Sequence, residues 1–311
     1  MRTLVVGLVV GLMALPLSGT QTAAGSSVPT ATASPTPVPP ADDIAFTRWD
    51  GHDTELWTID PATRDERRLT NNGEDELEPS WSPDHSRIAF ARFVSGGTKA
   101  ILVIDADGGN KVRLTPPRFF SSSPTWSPDG QWIAFAANVG GTGEVNLWRM
   151  RADGSERTQL TDSPDVQEFD PSWQPTGTLL AYQRGNRYNH AIFTLLANDG
   201  SQRMRVTANS AAAESPTWEP AGDAVIYSGW PNGAKSRDLY MADVFAFGAQ
   251  EPTRLFATAA QDIRPSSHGA TAWLTWQCAP PGSGFEICIM RRSGTRTILT
   301  TNPTDDEDPA W

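Results

Sequence analysis

Residues 41–311 alternate between short apolar runs and polar turns. The apolar runs are rich in β-branched and aromatic side chains, as at residues 87–91 and 132–135. Gly, Pro, Asp and Ser bound these runs on either side. Runs of this kind are typical of β-strands. The pattern therefore predicts an all-β fold.

A phrase of fixed composition precedes each clear apolar run. It reads Pro-x-Trp and continues into a turn such as Ser-Pro-Asp-Gly. The phrase is regularly spaced, because the marked positions are 44 to 49 residues apart. That period equals one four-stranded propeller blade. The repeated tryptophans, which are expected to pack between adjacent blades, are Trp81, Trp126, Trp173, Trp218 and Trp311, with Ser267 at the same place in a degenerate fifth copy.

A second repeating half fills the space between these phrases. It contains a strand, a polar turn and a further strand that ends in a Leu-Thr-like pair, as at Leu114-Thr115. Several of the turns are Asp-Gly, as at Asp107, Asp153 and Asp199. Asp-Gly suits tight hairpins that need a positive φ. Each repeat therefore supplies four antiparallel strands.

The two ends of the repeat region complement each other. The region begins at residues 44–48 with the second strand of a blade, and it finishes at residues 308–311 with a first strand. Joined, the two ends make one blade in addition to five intact ones. This pairing removes the exposed edges of an open sheet. We therefore expect a six-bladed β-propeller in which the C-terminal strand completes the N-terminal blade.

The repeat resembles that of the TolB-like six-bladed β-propellers, and related blades occur in prolyl-oligopeptidase-type enzymes. The residues that carry the resemblance are Pro-Thr-Trp-Ser-Pro-Asp-Gly at 124–130 and Ile-Ala-Phe at 133–135. The resemblance covers residues 41–311. TolB itself has an additional N-terminal α/β domain, which this sequence lacks in the corresponding place. A role in the Tol envelope system therefore does not follow from the resemblance.

The first forty residues have a different character. Arg2 precedes an apolar run at residues 4–17 and a stretch of small residues, which predicts a signal peptide over residues 1–25. The run is shorter than the roughly 20 residues of a membrane span, although an uncleaved anchor is an alternative. Residues 26–40, rich in Pro, Thr and Ser, predict a disordered tether. We expect an exported protein, either periplasmic, cell-surface or secreted, with no membrane span in the mature chain.

Composition and charge narrow the class of function. The 26 Gly and 25 Pro fit a turn-rich β protein. The net charge of −11 argues against nucleic acid and anionic membranes as partners, since both select basic surfaces. The chain has no Gly-x-Ser-x-Gly elbow and no His-Glu-x-x-His zinc pattern. Of its four histidines, His85 and His268 follow first strands and are expected at surface turns.

The two cysteines lie on successive strands of one predicted hairpin. Cys278 and Cys288 are separated by nine residues. In an exported chain this arrangement predicts a disulfide across the hairpin, with two buried free thiols as the alternative.

Acidic residues are the strongest indication of a binding site. Positions five and three residues before the repeated tryptophan are often Asp or Glu and are expected to surround one mouth of the central channel. Like charges around such an opening attract cations, either a basic peptide segment or Ca²⁺. The alternative is that the acidic loops only maintain solubility. The predicted ring, with Arg264 as an internal counter-charge, consists of Glu76, Glu78, Glu168, Asp170, Asp262, Asp306 and Asp308.

Together these features predict an exported, monomeric and non-catalytic propeller that binds a macromolecule, most simply a protein. No metal centre or cofactor is predicted, apart from the Ca²⁺ that the acidic mouth could accept. One alternative is a propeller that binds a glycan or a small ligand. A second alternative is a propeller-based sugar lyase or hydrolase.

Overall fold

The computed structural model describes residues 42–94, 96–140, 143–186, 189–207, 211–231, 236–245, 252–255, 261–268, 271–280, 282–291 and 294–311. The predicted signal peptide and tether lie outside the described residues. Strands and connecting turns make up the described residues, and no helix among them is long and apolar enough to cross a membrane.

The described strands number 24. The first twelve are β1 (Ile44–Trp49), β2 (Thr54–Ile59), β3 (Glu66–Arg68), β4 (Glu76–Trp81), β5 (Arg87–Val94), β6 (Thr98–Asp105), β7 (Val112–Arg113), β8 (Phe120–Trp126), β9 (Trp132–Asn138), β10 (Asn146–Arg151), β11 (Thr158–Gln159) and β12 (Gln167–Trp173). The remaining twelve are β13 (Leu179–Asn186), β14 (Asn189–Leu196), β15 (Met204–Arg205), β16 (Ala211–Trp218), β17 (Ala224–Pro231), β18 (Asp238–Asp243), β19 (Thr253–Arg254), β20 (Gln261–Ser267), β21 (Trp273–Ala279), β22 (Glu286–Arg291), β23 (Thr297–Ile298) and β24 (Asp306–Ala310).

These strands form six four-stranded antiparallel sheets, which confirms the predicted propeller. Five sheets use four consecutive strands, from β4–β7 to β20–β23. The remaining sheet, blade 1, has the order β24-β1-β2-β3. In it Ala45 lies opposite Ala310 and Arg48 lies opposite Asp306. The last strand of the chain therefore completes the first blade, as the sequence predicts.

Every inner strand carries a β-bulge at the same place. The pairing of each inner strand with the next strand of its blade shifts register around one residue. That residue stands three positions before the repeated tryptophan, or before Ser267 in the fifth copy. At that position a residue other than glycine adopts a positive φ of 49° to 56°, and the proline of the phrase follows it. A bulge re-aims the side chain of its residue. The six bulge residues are Glu78, Ser123, Asp170, Ser215, Arg264 and Asp308.

The hydrophobic core lies between successive blades, as the repeated tryptophans predict. Trp126 belongs to one cluster with Ala89 and Ile101 of the preceding blade. The indole Nε1 of Trp218 donates a hydrogen bond of 3.0 Å to the carbonyl oxygen of Ser172, on the preceding inner strand. The Nε1 of Trp173 likewise donates to the carbonyl of Thr125, at 3.2 Å. Trp81, Trp126 and Trp218 are buried, whereas Trp173 and Trp311 are half-buried.

The Leu-Thr pairs fasten the outer strand of a blade to the strand beside it. In five blades the threonine hydroxyl accepts a hydrogen bond of 2.8 to 3.0 Å from a buried backbone N–H on the third strand. A buried backbone N–H needs such a partner, because leaving it unpaired costs about 1–3 kcal/mol. The outer strands are only two or three residues long, so this side-chain bond extends their short ladder. The five threonines are Thr70, Thr115, Thr161, Thr207 and Thr300.

Cys278 on β21 and Cys288 on β22 form a disulfide, with their Cα atoms 5.9 Å apart. Both cysteines are buried between the last two blades. The predicted bridge across the hairpin is confirmed, and the alternative of two free thiols is not.

We expect the disulfide to stabilise the fold by about 2–3 kcal/mol, because it restricts the unfolded chain over a short loop. The Cys278→Ser/Cys288→Ser variant should lose that amount in urea unfolding monitored by tryptophan fluorescence. Dithiothreitol should destabilise the wild type to the same extent and leave the double variant unchanged. Equal stability of the two proteins under oxidising conditions would contradict the expectation.

Candidate binding site in the central channel

The inner strands surround a central cavity of about 680 Å³. All six blades contribute to it, each through its bulge residue, the proline and Trp of the phrase, or the loop that follows. The cavity is therefore built almost entirely from the repeated phrase. We call this space the central cavity.

The six bulge residues lie in a ring that lines the central cavity, and hydrogen bonds or an ion pair link five neighbouring pairs of them. On one side of the ring, the Oδ2 of Asp308 accepts a hydrogen bond of 3.0 Å from the backbone N–H of Glu78. The Oε2 of Glu78 in turn accepts one of 2.7 Å from the N–H of Ser123. Each of these carboxylates thus accepts a hydrogen bond from the backbone N–H of the bulge residue on the neighbouring inner strand.

The same ring continues through Asp170 and Arg264. The hydroxyls of Ser123 and Ser215 donate to the two carboxylate oxygens of Asp170, at 2.7 and 3.0 Å. The guanidinium of Arg264 lies 2.6 Å from Asp308 Oδ1. These contacts connect residues of all six inner strands.

The charge of the central cavity is acidic and only partly balanced. Asp308 raises the pKa of Arg264, whereas burial raises the pKa of Asp308. The Nζ of Lys99 lies 3.2 Å from Oε1 of Glu78 and partly balances the charge of that carboxylate. The residues that line the cavity carry one guanidinium, Arg264, and five carboxylates, namely Asp42, Glu78, Asp84, Asp170 and Asp308.

Four of the seven predicted mouth carboxylates do not reach the central cavity. Their residues are fully buried inside the blades, so the predicted position is wrong for them. The physical reason is the bulge, which breaks the two-residue alternation of the strand and turns only the later position into the channel. The four are Glu76, Glu168, Asp262 and Asp306.

Three of the four buried carboxylates have a partner within their own blade. Asp306 accepts two hydrogen bonds from Arg48, at 2.6 and 3.0 Å. Glu168 lies 3.2 Å from the Nε of Arg184. The indole of Trp276 donates to Asp262 at 2.8 Å. These groups act as internal links of the blades and are not available to a partner.

Glu76 is bonded differently, through neutral donors. Thr70 and Asn72 donate hydrogen bonds of 2.9 and 2.8 Å to its carboxylate. Burial raises the pKa of Glu76 to about 7, and the adjacent buried Glu55 adds to the shift.

A set of small hydroxyl residues also faces the central cavity. They occupy the position directly before the repeated tryptophan, where the sixth copy has Ala310. This position is the x of Pro-x-Trp, and its restriction to Ser and Thr in five copies is the signal in the sequence that marks it. The five hydroxyl residues are Ser80, Thr125, Ser172, Thr217 and Ser266.

Two histidines line the cavity instead of lying on the outer surface. His268 is 8% exposed, and its Nε2 lies 3.0 Å from Asp42 Oδ2. His85 is half-buried and stacks on Trp81 with a ring separation of 5.1 Å. The expectation of surface turn residues is therefore wrong for His268. The inner-strand turns bend over the cavity, which places residues of these turns along its wall.

Comparison with known proteins agrees with this architecture. Residues 19–246 match the model of the TolB beta propeller domain family. Over 51 residues the chain is 39% identical to the Tol-Pal system protein TolB of Nitratidesulfovibrio vulgaris. That match spans 16% of this chain and 12% of the relative. Because the family model covers more than half of the sequence, the chain belongs to the TolB beta propeller domain family.

Two solved structures illustrate the range of proteins that share the fold. TolB from Acinetobacter baumannii is similar with a TM-score of 0.73 at 19% identity, over 88% of this chain and 68% of that one. An oligogalacturonate lyase in complex with manganese is similar with a TM-score of 0.58 at 15% identity, over 83% and 73% of the two chains. At these identities the likeness establishes the fold alone.

The two classes of carboxylate should respond differently to neutralisation. We expect Asp306→Asn to lower the free energy of unfolding by about 2 kcal/mol, because it removes the buried charged partner of Arg48 and leaves only the more exposed Glu66 to balance the guanidinium. We expect Asp170→Asn to change it by less than about 1 kcal/mol, since an amide still bonds the two serines and Asn tolerates a positive φ. Urea unfolding of both variants tests the distinction. Equal losses would contradict the division into buried and cavity carboxylates.

Proposed function

We propose that this chain is an exported, monomeric protein-binding module whose partner inserts a segment into the central cavity. The observation that carries the proposal is the lining of that cavity. All six blades converge on it with polar groups, and its walls are otherwise proline and tryptophan. Membership of the TolB beta propeller domain family and the buried disulfide support a role outside the cytoplasm.

The chemistry of the cavity indicates what the inserted segment contains. Five carboxylates face one guanidinium there, so a segment with Lys or Arg is favoured over an acidic one. The hydroxyls of the ring before the tryptophans can bond the backbone of an extended peptide. Electrostatic attraction of this kind raises the association rate and weakens as salt increases.

Neutralising two ring carboxylates should weaken partner binding. We expect Glu78→Gln/Asp170→Asn to reduce affinity about tenfold, equivalent to roughly 1.4 kcal/mol, and to make its salt dependence shallower. The partner is first recovered from envelope extract of the source cells with immobilised wild-type protein. The purified pair is then measured by biolayer interferometry at several salt concentrations.

The matched control is Asp153→Asn/Asp199→Asn, which removes the same charge from two exposed hairpin turns outside the cavity. We expect wild-type affinity from this control. If both double variants bind equally well, the acidic residues serve solubility and the proposed insertion is wrong. Repeating the measurement with EDTA separates a peptide contact from one that depends on Ca²⁺ in the cavity.

A sugar lyase is the second candidate, because His85 and His268 line the cavity close to Asp42 and the fold is shared with an oligogalacturonate lyase. A glycan-binding role would use the same space. Incubation with uronate polymers, with and without Mn²⁺, should give no unsaturated sugar product if our main proposal is correct. Product formation that His268→Ala abolishes would favour the lyase instead.

A further inference from the structure

A second acidic cluster lies at the β1–β2 hairpin, outside the tryptophan phrase. Asp50, Asp53 and Glu55 each place a carboxylate oxygen within 4.8 Å of the other two. These residues come from one short stretch of blade 1, in which the chain closes the propeller. None of them lines the central cavity.

Asp53 is the unusual member of this cluster. It is only 6% exposed. Both of its carboxylate oxygens are buried and accept no hydrogen bond from the residues that the structure describes. A buried carboxylate without a partner costs several kcal/mol. Such a group points to a ligand or a proton that satisfies it.

The surrounding charges do not provide that partner. Arg68 lies 2.7 Å from Asp50 Oδ2 and 2.9 Å from Glu55 Oε1. Asp75, whose Oδ1 accepts the N–H of Thr54 at 2.8 Å, brings a further negative charge close to Asp53. Four carboxylates thus share one guanidinium.

The backbone fixes the loop in this arrangement. The Oδ1 of Asp50 accepts hydrogen bonds from the N–H groups of His52 and Asp53, at 2.9 and 3.3 Å. The N–H of Asp50 donates to the carbonyl of Asp53 at 3.0 Å. The loop therefore holds the three carboxylates together in spite of their mutual repulsion.

We propose that Asp50, Asp53 and Glu55 bind a Ca²⁺ ion, with water completing the coordination. Ca²⁺ prefers hard oxygen ligands at about 2.3–2.6 Å, so oxygens on one ion lie up to about 5 Å apart. The observed spacing fits this limit. Ca²⁺ also tolerates irregular geometry, whereas Mg²⁺ demands a near-ideal octahedron. The ion would stabilise blade 1, where the first and last strands pair.

The competing state is a proton on Asp53. Burial, followed by the charges of Glu55 and Asp50, raises the pKa of Asp53 and favours the neutral acid when no cation is bound. The two states make opposite predictions about added Ca²⁺. If Asp53 keeps its proton when Ca²⁺ is added, the ion leaves the stability unchanged, whereas a carboxylate that exchanges its proton for Ca²⁺ gains stability from the ion.

The test compares melting temperatures of the full chain in EDTA and in excess CaCl₂. At a hundredfold excess over Kd, the wild-type Tm should rise by about 5 °C. Asp53→Asn should lose the Ca²⁺-induced rise and should melt in EDTA no lower than wild type, because the amide, like the neutral acid, places no charge at this buried position. Asp50→Asn should reduce the rise, and Asp199→Asn should keep it in full.

A second readout is direct. Trp57 lies beside the site, since its ring centroid is 6.0 Å from Cζ of Arg68. Tb³⁺, a luminescent substitute for Ca²⁺, should therefore be sensitised by tryptophan excitation in the wild type and not in Asp53→Asn. A wild-type Tm that Ca²⁺ leaves unchanged overturns the proposal. A rise that survives Asp53→Asn but disappears in Asp170→Asn also overturns it, because the ion would then lie in the central cavity.

Discussion

The structure depends on a backbone constraint that recurs six times. On each inner strand a residue other than glycine adopts a left-handed conformation directly before a proline. Both features are unfavourable alone, because L-residues avoid positive φ and proline restricts the residue before it. They persist because the bulge lets the inner strand hold its neighbour while one side chain per blade turns into the channel. Such conformations concentrate at functional sites.

This constraint assigns different roles to side chains only two residues apart. Before the bulge, Asp306 is fully buried and bonded to Arg48 of the neighbouring strand. At the bulge, Asp308 faces the central cavity and pairs with Arg264 of the adjacent inner strand. The carboxylates before the bulges bond inside the blades or to the loop that precedes them, and those at the bulges connect the inner strands around the central cavity. The net acidity of the chain therefore has two separate physical uses.

The sequence predicted the architecture well because the repeat has a constant phase. Trp126 and its equivalents marked the blade period, and Cys278 with Cys288 marked one hairpin. The directions in which the inner-strand side chains point do not follow from the repeat in the same way. A strict two-residue alternation places Glu76 and Glu78 on one face, and only the register shift at the bulge separates them. The charged loop at Asp50 and Asp53 gave no repeat signal, since it occurs in one blade only.

Photo-crosslinking inside living source cells shows whether a partner segment enters the central cavity, as we propose. A photoreactive amino acid at Ser172, on the cavity wall, is compared with one at Val112, which is exposed on the outer strand β7. We expect a discrete protein adduct from position 172 and none of the same mass from position 112. Absence of an adduct at 172, or the same adduct from both positions, would show that the partner does not insert into the cavity.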